Sequence, residues 1–344
     1  MPSKPRSEER STPAAYRTYA EGPVTLQSHI LQQEALELAA DSSFSWILSA
    51  LSISAKIIAA RVRRARLDDD PAGAGAHGPG DAHRKLDVMA NDVLMRTIGG
   101  RDGVAIIASE ENAEPVLLRT SSRGEHQYCI LFDPLDGSSN LDVCGGVGTI
   151  FSILEHDRAL RPEDSLLQPG AHQVAAGYVL YGSSTVFVLT IGSGVDMFVL
   201  DPSIGAFVRV AEKLRIPDTG KNYSVNEGHR RSFPTGFQRY LDWAQAHDYT
   251  GRYVGAMVAD MHRILLKGGV FLYPPTAKSP QGKLRLMYEA NPIAMVIEQA
   301  GGAAFAGPDV PILSIVPKDI HQRTPVILGS AAEVEHVLRH LRRG

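Results

Sequence analysis

Cysteine is nearly absent from this 344-residue chain, which has only Cys129 and Cys144. Two cysteines make neither a disulfide framework nor a zinc-ligand spacing, so a reducing, cytoplasmic setting is expected. Cys129 sits inside an apolar run and reads as a packing residue. Long apolar runs are also missing: nothing approaches about 18 consecutive apolar residues, and no transmembrane helix is expected. The net charge of -3 gives no electrostatic reason for nucleic acid or a membrane surface as a partner. Local basic runs, Arg61 to Arg66 and Arg339 to Arg343, read as solvated helix faces. The N-terminus mixes Arg, Ser, Pro, Glu and Lys without an apolar core, which argues against a secretory signal. Residues 1–23 read instead as a disordered terminus, and Glu8, Glu9 and Glu21 speak against an organelle transit peptide. No Gly-x-Gly-x-x-Gly follows a strand, which excludes a dinucleotide-binding dehydrogenase.

What is present is an ordinary globular composition, 44% hydrophobic and 21% charged, over a length suited to two domains. One string stands out: Asp133-Pro134-Leu135-Asp136-Gly137-Ser138-Ser139-Asn140. The apolar run Tyr128 to Phe132 before it reads as a buried strand ending at the Asp133 carboxylate. Pro134 stiffens the turn, and Gly137 relaxes it ahead of a helix start. Asp133 and Asp136, with the Leu135 carbonyl between them, are hard oxygen donors suited to Mg²⁺. Gly137, Ser138 and Ser139 offer backbone N–H groups and hydroxyls to an anion. Metal ligands and phosphate donors on one short turn point to metal-assisted phosphate chemistry.

Around this string the chain alternates in texture. Residues 25–66 read as one or two long helices, followed by a mobile Gly/Ala-rich loop from Asp68 to Gly80. A helical stripe runs from Leu86 to Ile98, and Val104 to Ala108 is a buried-type strand leading into Ser109-Glu110-Glu111. Val174 to Val210 holds β-rich runs separated by turns, an antiparallel meander. Beyond Lys213 come a short helix at Tyr240 to Ala246 and a strand at Phe271 to Tyr273. Asn291-Pro292 opens a helix with a cap residue, and Gly301-Gly302 closes it. After a strand at Val326 to Leu328, Ser330 and Glu333 form a capping box for the last helix.

Carboxylates collect where these elements end: Glu110 and Glu111 after one strand, Asp133 and Asp136 after the next, Glu289 before a helix. Asp81 and Asp87 flank the junction of the Gly/Ala loop with its helix. Taken singly, Glu110-Glu111 is a solvated turn, Asp87 a charge on the helix dipole and Asp81 a loop or cap residue. Together they would repel strongly, so cations must neutralise them. Two or three Mg²⁺ ions would do so and would clamp the oxygens of an in-line phosphoryl displacement.

The motifs resemble class I fructose-1,6-bisphosphatase, within the sugar bisphosphatase and inositol phosphatase superfamily, over roughly residues 25–338. Those carrying the resemblance are Gly80-Asp81 with Lys85-Leu86-Asp87, Ser109-Glu110-Glu111, Asp133 to Asn140, Gly148-Thr149-Ile150-Phe151 and Ala175-Ala176-Gly177-Tyr178. Asn226-Glu227-Gly228, Arg252-Tyr253-Val254-Gly255, Phe271 to Pro274, Gly282-Lys283-Leu284-Arg285-Leu286, Tyr288 to Pro292 and Asp319 to Arg323 follow in family order. The resemblance implies an α/β, two-domain sugar-phosphatase fold of stacked helix and sheet layers, an αβαβα sandwich. It implies a metal-binding and regulatory domain at 24–213 and a sugar-phosphate-binding domain at 214–344, with the active site between. The implied metal ligands are Glu110, Glu111, Asp133, Asp136, Glu289 and the Leu135 carbonyl, holding two or three Mg²⁺ or, alternatively, Mn²⁺. Glu111 is the implied base, supported by Asp87, and Asp81 lies on a loop that closes over the site. Asp136, Gly137, Ser138 and Ser139 contact one phosphate. Asn226, Arg252, Tyr253, Tyr273 and Lys283 grip the rest of the substrate, the arginine reaching in from a neighbouring subunit of a homotetramer.

Two departures from the family pattern matter. His229 stands where a tyrosine or another donor follows Asn-Glu-Gly, so its contribution to phosphate binding would vary with pH. AMP-inhibited members carry Thr-Gly-Glu near the N-terminal helix, where this chain has Asp41-Ser42-Ser43. Gln127 and Glu155 replace a lysine and an arginine. Losing two cations and adding an acid weakens nucleotide phosphate binding, so an AMP effector site is doubtful. The expected activity is Mg²⁺-dependent hydrolysis of D-fructose 1,6-bisphosphate to fructose 6-phosphate and phosphate, in gluconeogenesis or the Calvin cycle. The alternatives are a sedoheptulose 1,7-bisphosphatase or dual-specificity enzyme, an inositol monophosphatase, and a silent sugar-phosphate sensor.

Overall fold

A computed structural model describes residues 22–35, 42–68, 81–118 and 126–343. The N-terminal residues 1–21, most of the Gly/Ala loop and Asp41 lie outside the described residues.

Two sheets are stacked between three layers of helix. The first sheet has eight strands, in the order Val116–Leu117, Val104–Ser109, Tyr128–Asp136, Val147–Glu155, Gln173–Tyr181, Thr185–Thr190, Val195–Asp201 and Ala206–Ala211. Val104–Ser109 and Tyr128–Asp136 run parallel, the last four form the expected antiparallel meander, and Val147–Glu155 extends it by one strand. Every residue of Val104–Ser109 and Tyr128–Asp136 is buried. That is why these strands read as unbroken apolar runs: both faces are covered. Alternate residues serve different cores. Tyr128, Ile130 and Phe132 pack with the helices Leu26–Ala35, Ser42–Val62 and Asp81–Gly99, whereas Cys129 and Leu131 pack on the opposite face with Met257–Lys267 and Asn291–Gln299.

The second sheet orders Thr250–Gly251, Asn222–Ser224, Val270–Tyr273, Val326–Gly329, Ala303–Gly307 and Val310–Pro311. Phe271, Val326 and Leu328 face the middle helices, while Val270, Leu272 and Ile327 face the outer pair Thr235–Ala246 and Ala331–Arg342. The five layers are the expected αβαβα sandwich. Asn291–Gln299 lies between the sheets with Asn291 through Ile297 all buried, which explains its apolar circumference.

Among the described residues one helix, Ser42–Val62, is long and apolar enough to cross a membrane. Serines interrupt it, so it contains no unbroken apolar run. In this fold 56% of its apolar window is buried, and Ile47, Leu51 and Ile58 pack into the outer core.

Three local expectations change. The strand thought to stop at Asp133 runs on to Asp136. Asn291 does not cap its helix: a π-turn, Leu286–Ala290, leads directly into it, and the buried Asn291 Oδ1 has no hydrogen-bond partner among the described residues. Ser330 and Glu333 do not form a capping box. Ser330 Oγ donates to the Pro217 carbonyl at 2.6 Å, and Glu333 accepts from Gly220 N–H at 3.1 Å and Tyr249 Oη at 2.8 Å. Tertiary partners have claimed both side chains.

Candidate active site

Positions 133 and 136 are an odd number of residues apart, so a regular strand would send their side chains to opposite faces. A bulge prevents this. Asp133 pairs with Ile150 and Asp136 with Gly148, so the bulged strand carries one extra residue. Pro134 sits in the bulge, where its missing N–H costs no ladder bond, and its carbonyl accepts Thr149 Oγ1 at 2.9 Å. Gly137 follows at φ 71°, and a Cβ there would lie 2.3 Å from Ala256 Cβ. Only glycine permits the 133–140 segment to lie this close to the loop entering Met257–Lys267.

Glu289 arrives from the π-turn. Its Oε2 accepts Arg285 N–H at 2.6 Å. Asp133 Oδ1 accepts Leu135 N–H at 3.0 Å, and Asp136 Oδ2 accepts Val258 N–H at 2.8 Å. The three carboxylates offer ligand oxygens within 4.8 Å of one another. They line a cavity of about 580 Å³ together with Glu110, Glu111, Leu135, Gly137, Ser138, Ser139, Tyr253, Tyr273 and Lys283.

The electrostatics follow from this crowding. Burial, then repulsion from Glu110, Asp136 and Glu289, holds the Asp133 carboxyl well above the usual carboxylate range. Glu289 is raised in the same way, by burial and then by Glu110 and Asp136. Burial pushes Asp136 up to about 7 despite two backbone N–H donors. Ionised, these acids are unstable neighbours unless a cation joins them. An all-carboxylate donor set suits a hard divalent ion such as Mg²⁺ or Mn²⁺, so the residues present fit the metal implied by the sequence.

The other candidates are placed as follows. Glu110 comes within hydrogen-bonding reach of Asp133 but pairs with Arg285 Nε at 2.7 Å, outside the three-carboxylate group. Glu111 is exposed at the rim, its carboxyl raised by burial and by Glu110 and lowered by Arg285. Asp87 is half-buried on Asp81–Gly99 and does not line the cavity. Asp81 begins that helix, and its side chain lies outside the described residues. Tyr253 is hydrogen-bonded to Asn226, and burial pushes its hydroxyl up to about 12. Asn226 also accepts Gly228 N–H at 3.1 Å. Arg252 is exposed and does not line the cavity of its own chain. Glu155, at one of the positions bearing on nucleotide binding, pairs with His126 at 2.6 Å.

Sequence reasoning missed Arg285, Arg323 and Asp260. Arg285 and Arg323 face each other across a two-stranded ladder and both line the cavity. Like charges opposite one another are unfavourable, and the acids beside them offset this. The alternation Lys283-Leu284-Arg285 was the available signal, because positions two apart share a strand face. The buried Asp260 carboxylate accepts Val254 N–H at 2.9 Å and Gly255 N–H at 3.0 Å, fixing the loop that carries Arg252 and Tyr253. Nothing local distinguishes it from a surface helix acid.

Two family models match the chain: fructose-1-6-bisphosphatase, N-terminal domain, over residues 24–212, and fructose-1-6-bisphosphatase, C-terminal domain, over residues 216–342. Among solved structures, Leishmania major fructose-1,6-bisphosphatase in holo form is 37% identical, with a TM-score of 0.85, covering 93% of this chain and 99% of that one. The apo form of the same protein gives a TM-score of 0.83 over 94% and 100% of the two chains, and its T-state 0.84 over 93% and 99%, both at 37% identity.

Proposed function

The chain belongs to the fructose-1,6-bisphosphatase family, and we propose that it hydrolyses the 1-phosphate of D-fructose 1,6-bisphosphate with the help of Mg²⁺. One observation carries this reading. Three buried carboxylates from separate segments meet on a cavity that also holds Ser138, Ser139, Lys283, Arg285 and Arg323. Acids alone would repel a phosphoester, and cations alone would bind it without turning it over. Their juxtaposition suits phosphoryl transfer.

Asp133, Asp136 and Glu289 would hold the divalent ion, which supplies Lewis-acid stabilisation of the phosphoryl oxygens. Ser138 and Ser139 bind and orient the scissile phosphate. Glu111, whose raised carboxyl is suited to accepting a proton, receives it from the attacking water. Arg285 offsets the acids and approaches the same phosphate. Tyr253, held by Asn226, and Tyr273 with Lys283 position the sugar and its remote phosphate. Arg252 serves the site of a neighbouring subunit in a homotetramer, consistent with its exposure here. With Gln127 buried and Glu155 tied to His126, AMP inhibits weakly or not at all.

The test is phosphate release from a panel of sugar bisphosphates, with Mg²⁺, with chelator and with AMP. Mg²⁺-dependent turnover of fructose 1,6-bisphosphate, unaffected by AMP, is expected. No release from that sugar, or equal release in chelator, sinks the proposal. A steep fall at physiological AMP sinks its regulatory part alone.

A further inference from the structure

The strand Val104–Ser109 runs into a tight turn, closed by Asn112 N–H donating to Ser109 O at 3.2 Å. The two central residues of that turn are Glu110 and Glu111. Glu110 pairs with Arg285 beside the acid cluster. Glu111 is the group that receives the proton of the attacking water in the hydrolase reading. Whatever holds this turn therefore sets where both carboxylates stand.

The strand's period of two supplies the first constraint. Ile107 shares the outer core with Ala90, Leu94 and Ile98 of Asp81–Gly99, so Ser109, two residues on, faces the same helix. Ser109 is buried, and its hydroxyl donates to Asn91 Oδ1 at 2.7 Å. The far end of the turn meets the same side chain: Asn91 Nδ2 donates to Asn112 Oδ1 at 3.1 Å. One carboxamide thus engages the first and the last residue of the turn, its acceptor on one and its donor on the other. Ser109 Oγ also accepts Glu111 N–H at 3.3 Å, so the network reaches the backbone of Glu111 itself. Asn112 Nδ2 meets Met95 Sδ at 3.9 Å, one helical turn beyond Asn91, which orients the Asn112 amide.

Asn91 lies four residues after Asp87 on Asp81–Gly99, and residues four apart share a helix face. It does not line the catalytic cavity. We propose that Asn91 is a positioning residue: its carboxamide clamps both ends of the 109–112 turn to the helix that carries Asp87, and so holds Glu111 and Glu110 in place for the reaction. The proposal rests on the hydrolase reading and deepens it, because it names what sets the base relative to the acid that supports it.

Two variants of the full chain test the clamp. Asn91→Leu keeps the side-chain volume and removes both bonds. Asn91→Asp keeps the acceptor for Ser109 and, once the Asn112 amide turns over, accepts from Asn112 as well. Initial rates are measured at saturating Mg²⁺ across fructose 1,6-bisphosphate concentrations, with thermal melting alongside. For Asn91→Leu, kcat is expected to fall by about tenfold to a hundredfold while KM changes by less than about twofold. Asn91→Asp should keep kcat within about threefold of wild type. Wild-type kcat in Asn91→Leu, whatever its KM or melting temperature, overturns the proposal, and so does an equal loss in both variants. Where Asn91→Leu does not fold, Ser109→Ala and Asn112→Leu each remove one arm. Both should lower kcat, and wild-type kcat in both overturns the proposal. Amide hydrogen exchange over residues 109–112 reads the clamp without turnover. Exchange at least about tenfold faster in the leucine variant is expected, and unchanged exchange overturns the clamp. If the wild-type chain releases no phosphate from the sugar bisphosphate, the hydrolase reading fails, and exchange alone decides whether Asn91 holds the turn.

Discussion

Asp133→Asn replaces one carboxylate oxygen by nitrogen at the centre of the acid cluster, and the structure sets both the sign and the size of the result. Asp133 is 5% exposed, and its bond from Leu135 N–H is one an amide oxygen retains. Asp136 supplies the energy scale. A carboxyl moved from 3.8 to about 7 costs about 4 kcal/mol when ionised. Removing a neighbouring charge recovers part of such a cost, while the new amide N–H₂ adds back about 1–2 kcal/mol if it finds no acceptor. The metal-free variant is expected to be about 1–3 kcal/mol more stable than wild type, a rise of roughly 1–4 °C in Tm for a chain of this length. The sign depends on pH. Carboxyls raised in the folded state withdraw stability as pH climbs through their folded values, so the gain is present above about pH 7 and fades in acid. Thermal unfolding in chelator at about pH 8, repeated with Mg²⁺, measures this. Wild type should gain more from the metal than the variant, and phosphate release by the variant should fall by at least about a hundredfold. A variant that melts below wild type in chelator, or that turns over near normally, refutes the reasoning.

Arg285→Met removes the partner of Glu110 and the cation nearest the acids, and should destabilise the metal-free protein by about 1–2 kcal/mol. The deficit should shrink when Mg²⁺ is added, which fluorimetric melting with and without the ion checks. Asp260→Asn gives up one of two acceptors for the Val254 and Gly255 N–H groups. With the loop bearing Arg252 and Tyr253 loosened, KM for the sugar bisphosphate should rise about fivefold to tenfold with kcat little changed. Burial lowers His262 to about 4, and its Nδ1 pairs with Tyr178 Oη at 2.9 Å. A histidine kept neutral in the fold binds its proton more readily when unfolded, so stability falls as pH drops from about 6.5 towards 4, by up to about 3 kcal/mol. His262→Gln should flatten that part of the stability–pH curve.

Much of this was legible because neighbouring residues decide it. The apolar runs at 104–109 and 128–132 announce strands covered on both faces, and the β-rich runs from Val174 onward announce a meander. The acids of the site were legible as residue types at the ends of elements. Their relative placement was not. The bulge that turns Asp133 and Asp136 to one cavity depends on pairing with Ile150 and Gly148, and the π-turn that delivers Glu289 looks in sequence like an ordinary helix start. Ser330 and Glu333 carried a capping signal that distant backbone groups at Pro217 and Gly220 overrode.

By itself the amino-acid order determined most of the helices and strands and the chemical inventory, since periodicity and carboxylate-rich turns are written within a few residues of one another; the layering was an implication of the family resemblance. Only the tertiary structure decided which acids share one group of ligand oxygens, that Arg285 pairs with Glu110, and that Arg231 and Lys278 open onto a cavity beside it. Those outcomes turn on ångström-scale distances between segments more than a hundred residues apart. Electrostatic and hydrogen-bond energies change steeply over such distances, and no local pattern encodes them.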